Sequence, residues 1–174
     1  MQNDVIDAVS HLYEAGVASP ENTCIVGYSY GGYVALHAAA FTPQQFKCIV
    51  SGGGVSDLLA SMKEERREKG KDSEAYDYWL KSIGDPETQR EKLISASPIN
   101  FADRVTAPVL LIHGEEDKIV YANQSRRMKK ALEKAGADVE YLELAYEGHR
   151  YWSLENEVLY LRTIEGFLAK HLVK

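Results

Sequence analysis

Apolar positions first recur at helical spacing from about Asp4 to Ala15, where Val5, Ile6, Val9, Leu12 and Tyr13 share a side and Gly16 offers a stop. Residues 23–27 then form a short, β-branched apolar run between turn signals, which predicts a buried strand. A run of small apolar residues from Tyr33 to Phe41 predicts a buried helix, closed by Thr42-Pro43. The alternation repeats. Residues 47–51, 109–113 and 139–144 read as three more strands. A helix over residues 125–135 carries Met128, Ala131, Leu132 and Ala135 on one side, and Gly136 ends it. Leu154, Val158, Leu161, Ile164 and Leu168 stripe a last helix. Continuous apolar strands separated by helices predict an α/β fold, a mostly parallel sheet with helices on both faces.

Residues 57–100 break this rhythm. Their charges alternate and cancel between Lys63 and Glu74, and Tyr76, Tyr78, Trp79 and Leu80 then supply apolar surface. A helical excursion over the C-terminal edge of the sheet is expected there, where ligand sites of α/β folds lie. Residues 1–174 otherwise read as a single domain with one sheet.

Composition narrows the function classes. The chain has 174 residues, with 20 Lys and Arg against 26 Asp and Glu, a formal net charge of −6. A binder of nucleic acid or of an anionic membrane surface would show a basic surplus instead. Apolar runs fall far short of the ~20 residues that span a bilayer. Two cysteines make no disulfide scaffold, and no His/Cys cluster reads as a metal site. Cys24 and Cys48 are expected to pack as small buried apolar residues. Met1 to Gly16 lacks the basic-then-apolar order of a signal peptide, so a cytoplasmic protein is expected.

Chemistry enters with Gly27-Tyr28-Ser29-Tyr30-Gly31, a G-x-S-x-G motif between a strand and a small-residue helix. A serine there sits on a sharp, strained turn and projects above the sheet. Gly27 and Gly31 are expected to remove side chains that would collide across the turn, and Gly32 to let the helix approach closely. The helix N-terminus favours developing negative charge, and the Tyr30 backbone N–H is a candidate oxyanion donor. A serine hydroxyl also needs a base, and the base an orienting carboxylate. Asp117 follows the third strand and His149 the fourth, both at the sheet end where Ser29 lies. Glu115 and Glu116 are rival acids and His113 a rival base. The glutamates read as exposed, and His113, at a strand end, as making a structural hydrogen bond. His37 reads as packing, and His11 and His171 as surface residues.

The segments Gly27 to Tyr33, Ser97-Pro98, Pro108 to Asp117 and Glu147-Gly148-His149 together resemble the prolyl oligopeptidase family of serine peptidases, its dipeptidyl- and acylaminoacyl-peptidase branches most. The resemblance implies the C-terminal part of an α/β-hydrolase catalytic domain, truncated at its N-terminus. It implies short-peptide cleavage through an acyl-enzyme, with Ser29 as nucleophile, His149 as base, Asp117 as orienting acid and no metal or organic cofactor. By position, Tyr30, Val55, Leu58, Ile119 and Val120 resemble the family's pocket walls. Family members carry a propeller that limits access to short peptides, and further strands whose loop supplies a tyrosine as second oxyanion donor. Without those strands the nucleophile strand is expected at a sheet edge, and homo-oligomers are expected to form through it. A carboxylesterase on the same scaffold, and a catalytically silent fragment that folds and associates, are the alternatives.

Overall fold

The structure is a computed structural model and describes residues 2–150 and 153–172. Helix α1 (Gln2–Glu14) leads into a 3-10 turn at Pro20–Asn22 and strand β1 (Cys24–Tyr28). Then come α2 (Tyr30–Phe41), β2 (Cys48–Gly52), and a run of three helices, α3 (Leu58–Lys69), α4 (Glu74–Ser82) and α5 (Arg90–Ser95). A 3-10 segment at Pro98–Arg104, kinked at Phe101, leads to β3 (Val109–Gly114). The chain closes with α6 (Asn123–Ala135), β4 (Val139–Leu144) and α7 (Leu154–Leu172).

The four strands form one parallel sheet in the order β1-β2-β3-β4. Alternating side chains divide between its faces. On one face Ile49, Val109 and Leu111 pack with Ala35, Leu36, Ala38 and Ala39 of α2 and Met128 and Leu132 of α6. On the other, Cys48, Val50, Leu110, Ile112 and Leu144 meet Phe167 of α7. The excursion between β2 and β3 has its own small core of Leu58, Met62, Tyr76 and Leu93. Asp57 and Ser73 cap α3 and α4 by accepting from the Ala60 and Tyr76 backbone N–H groups. No described helix is long and apolar enough to cross a membrane.

Three expectations change. Cys24 and Cys48 are joined by a disulfide rather than packed as separate apolar side chains. They are register partners in neighbouring strands, with Cα atoms 4.6 Å apart, a juxtaposition set by strand pairing and invisible in their spacing along the chain. The strand expected to be buried around Val26 is the sheet edge, with Val26 47% exposed. Helix α2 begins at Tyr30, three residues before the apolar run, because Gly31 and Gly32 are its first turn rather than part of the preceding loop. The open edge itself agrees with the expected position of the nucleophile strand.

Candidate active site

Parallel strands deliver their C-terminal loops to one end of the sheet, and three of those loops converge. The β1–α2 turn places Ser29 at φ +56° and ψ −118°, a strained conformation for a residue with a side chain. It is held from both sides: the Ser29 N–H donates to the Gly52 carbonyl at 2.8 Å, and the Ser29 carbonyl accepts from the Tyr33 N–H. The turn is possible because a Cβ at Gly27 would run into the Gly31 carbonyl. A Cβ at Gly32 would lie 2.8 Å from Gly54 Cα, so its absence allows α2 to settle on the β2 loop. Gly31 does not fit its expected role, since a Cβ there would meet nothing within 4 Å. Of the three glycines around this turn, Gly27 and Gly32 face a wall and Gly31 faces open space.

The second loop follows β3. Asp117 is buried, and its Oδ1 accepts from the Ile119 and Val120 N–H groups at 2.8 and 2.9 Å. Burial by itself would push the Asp117 carboxyl up. The hydrogen bonds from the His113 and His149 rings and from those two backbone N–H groups outweigh it and hold the carboxyl well below the usual carboxylate range. Asp117 is therefore held as an anion at neutral pH.

The third loop follows β4. His149 Nδ1 lies 2.7 Å from Asp117 Oδ2, and His149 Nε2 lies 2.9 Å from Ser29 Oγ. An ionised carboxylate only accepts, so the proton sits on Nδ1 and Nε2 is left to accept from the serine hydroxyl. Gly114 makes the approach of this loop possible, because a Cβ there would strike the Gly148 carbonyl. The Glu116 N–H donates to the Glu147 carbonyl at 2.8 Å, tying the acid loop to the base loop.

Two residues that sequence reasoning passed over support this geometry. Tyr28 donates its hydroxyl to the His149 carbonyl and stacks obliquely against its ring, centroids 5.3 Å apart. It occupies a variable position of the G-x-S-x-G motif, which carried no signal. Glu147 is buried and accepts from the Ser153 N–H and the Asn156 side-chain amide, pinning the His149 loop to the start of α7. A glutamate beside a glycine in an apparent loop gave no reason to expect burial.

The remaining candidates fall as follows. Tyr30 begins α2, so its N–H lacks an intrahelical acceptor. The Tyr30 and Ile119 side chains are 53% and 62% exposed. Val55 is half-buried against the excursion's core, and Leu58 is buried inside it. Val120 is half-buried, and both of its backbone polar groups are engaged. Glu115 and Glu116 are exposed. His113 is fully buried and bonds to Ser125 and to the Val120 carbonyl. His37 is half-buried and stacks on Phe41, where burial pushes its ring toward the neutral form. His11 is exposed, whereas His171 is half-buried against Phe167 instead of lying on the surface.

Chemically, the arrangement is a serine hydroxyl directed at an imidazole nitrogen, behind which stands a buried carboxylate. Such a relay raises the nucleophilicity of the hydroxyl and stabilises the imidazolium formed on attack.

Known proteins share this chain's pattern. A family model described as the prolyl oligopeptidase family matches residues 1–174. Dipeptidyl peptidase family member 6 of Caenorhabditis elegans is 35% identical, over 99% of this chain and 23% of its own length. Dipeptidyl aminopeptidase BIII of Pseudoxanthomonas mexicana is 33% identical, over 99% of this chain and 25% of its own. A solved puromycin-hydrolyzing peptidase of Mycobacterium tuberculosis superposes with a TM-score of 0.88 at 29% identity, covering 98% of this chain and 25% of that one. The chain thus spans about a quarter of the length of these relatives.

Proposed function

The chain belongs to the prolyl oligopeptidase family, and from that premise we propose that it is a serine peptidase acting on short peptides through an acyl-enzyme. Ser29 Oγ attacks the scissile carbonyl while His149 Nε2 takes its proton. Asp117 keeps the imidazole in the productive tautomer and stabilises its cationic form. The Tyr30 N–H, at the positive end of α2, donates to the developing oxyanion. His149 then returns the proton to the departing amine, and water repeats the sequence in reverse to release the acyl group. The observation that carries this reading is the pair of contacts Ser29 Oγ to His149 Nε2, 2.9 Å, and His149 Nδ1 to Asp117 Oδ2, 2.7 Å, at a serine with φ +56°.

Tyr30, Val55, Leu58, Ile119 and Val120 are assigned to the walls of the acyl-side pocket, with Tyr30 and Ile119 offering the exposed surface. Val55→Trp should change the preference among substrate acyl groups, and an unchanged preference would remove Val55 from the assignment. Ser29, His149 and Asp117 can also open an ester. Parallel assays on p-nitrophenyl esters and aminoacyl-nitroanilides separate a peptidase from a carboxylesterase.

The test of the central reading is a fluorophosphonate probe followed by intact mass. One adduct per chain, absent in Ser29→Ala, supports an activated nucleophile. A folded chain that takes no adduct would overturn the reading in favour of a silent association module, which the exposed edge of β1 specifically favours. Pairing of two copies along β1 is part of the same proposal, and a concentration-independent monomer in sedimentation would exclude it. A cytoplasmic location predicts free thiols at Cys24 and Cys48 in vivo, because cytosolic cysteines are kept reduced, whereas the disulfide between them suits an oxidising compartment. Thiol counting on rapidly quenched cells decides between the two.

A further inference from the structure

His113 is the penultimate residue of β3, four residues before Asp117, and its ring is fully buried. Both ring nitrogens are engaged. Nε2 lies 2.7 Å from the Val120 carbonyl and 3.4 Å from Asp117 Oδ2, and Nδ1 lies 2.7 Å from Ser125 Oγ on α6. A carbonyl oxygen can only accept, so the Nε2 site carries a proton directed at Val120 and, on its second branch, at Asp117. In the neutral ring Nδ1 is then an acceptor, and the Ser125 hydroxyl supplies its hydrogen. The tautomer is fixed from both ends.

We propose that His113 is a positioning residue for the acid of the triad, its Nε2–H closing the Asp117–Val120 turn and sharing Asp117 Oδ2 with His149. Val120 is gripped twice: its carbonyl accepts from His113 and its N–H donates to Asp117 Oδ1 at 2.9 Å. Loss of the ring proton would free both ends of that turn together. It would also leave the negative charge of Asp117 facing His149 with one less competing donor. That favours the imidazolium, so the neutral base needed for attack would appear only at higher pH. This inference rests on the reading of Ser29, His149 and Asp117 as a catalytic relay.

The charged and titratable surroundings are few. Glu143 of β4 is the register partner of His113, and its carboxylate is met by Arg126 of α6 at 2.7 Å and by the Tyr141 hydroxyl. On the other side, Tyr28 of β1 lies against His149, and Tyr160 of α7 lies edge-on to Tyr28. Among the described residues, Asp117 is thus the carboxylate that His113 and His149 hold in common.

The test compares His113→Phe, which keeps a planar apolar ring without the donor, with His113→Gln, whose amide N–H reaches a similar place. The phenylalanine variant should react with the fluorophosphonate about tenfold more slowly at neutral pH. The pH of half-maximal reaction should move upward. The glutamine variant should recover most of both. A folded phenylalanine variant with the parent's pH profile, or a glutamine variant no better than phenylalanine, would overturn the assignment. Nitrogen-15 spectra of the unmodified chain supply a second measurement that needs neither turnover nor a variant. A His113 ring protonated at Nε2 and bare at Nδ1 is required, and the opposite tautomer would also overturn it. A parent chain that takes no probe at all would count against the relay and leave the tautomer measurement to decide on His113 alone.

Discussion

Strands β1 and β3 each end in a loop that carries part of the Ser–His–Asp constellation, yet they stand in different surroundings. Every residue of β3 is buried between two partner strands and two layers of helix. None of β1 is fully buried, and Val26 at its centre is half exposed. Asp117 therefore rests on the most interior strand of the molecule, whereas Ser29 follows its least covered strand and His149 follows β4, the other edge of the sheet. What holds Ser29 is local: the Gly52 carbonyl, the tight fit of Gly27 against Gly31, and the Cys24–Cys48 bond at the far end of the same strand pair. A peptide elbow can thus be set by its own turn and one neighbouring strand, while a buried carboxylate needs the full thickness of the domain.

The strongest way to probe the interior half is chemical. Asp117→Asn keeps the shape of the side chain but reverses the hydrogen-bonding preference that fixes the proton on His149 Nδ1. Its fluorophosphonate labelling rate should fall by about 10³–10⁴ while the circular dichroism spectrum is unchanged. A fall of less than about tenfold would mean that Asp117 is not the orienting acid.

Stability gives the next largest contrast. Leu111→Ala removes a side chain from the centre of β3, 0% exposed, and should cost about 2–5 kcal/mol in urea unfolding. Val26→Ala at the centre of β1 should cost less than about 1 kcal/mol. Equal losses would show that β1 is covered in solution, by a second copy or otherwise. Val26→Lys then distinguishes the two, since a charge on a paired edge would dissociate a dimer and leave a monomer untouched.

The glycines around Ser29 set up a smaller and sharper test. Gly27→Ala must displace the Gly31 carbonyl and should destabilise by about 2–4 kcal/mol with loss of labelling. Gly31→Ala, in the first turn of α2 and facing open space, should be neutral or stabilise by up to about 1 kcal/mol. If both behaved alike, the elbow would owe its shape to something other than the Gly27 contact.

Much of this was legible in the sequence because it follows from short-range pattern. The β3 run from Val109 to His113 is apolar throughout, and a continuous run announces a strand buried on both faces. The order Ser29, Asp117, His149 after three strands of a parallel sheet is enough to place all three at one end of the sheet. The losses have a common cause. The Cys24–Cys48 bond and the Tyr28 contact with the His149 loop both depend on which elements lie side by side, and spacing along the chain does not encode that. Gly31 failed for a subtler reason. A motif says that small residues are tolerated at both ends of the pentapeptide, but only the backbone directions reveal which of them faces a wall.

The smallest expected effect concerns acid. Asp117 titrates below its unfolded value because His113, His149 and two backbone N–H groups offset the cost of burial. A carboxyl depressed on folding contributes stability that is fully present above the unfolded-state value of about 3.9 and is lost as pH falls toward the folded one. Urea unfolding of the parent and of Asp117→Asn should therefore differ by a constant amount from about pH 7 down to about pH 5. The gap should narrow progressively below about pH 4. β1 offers no carboxylate of its own, so acid should loosen the interior half of the site first, and Ser29 should keep its turn after Asp117 has lost its charge. A gap that persisted to about pH 2 would mean that the buried hydrogen bonds of Asp117, rather than its charge, carry its contribution to the fold.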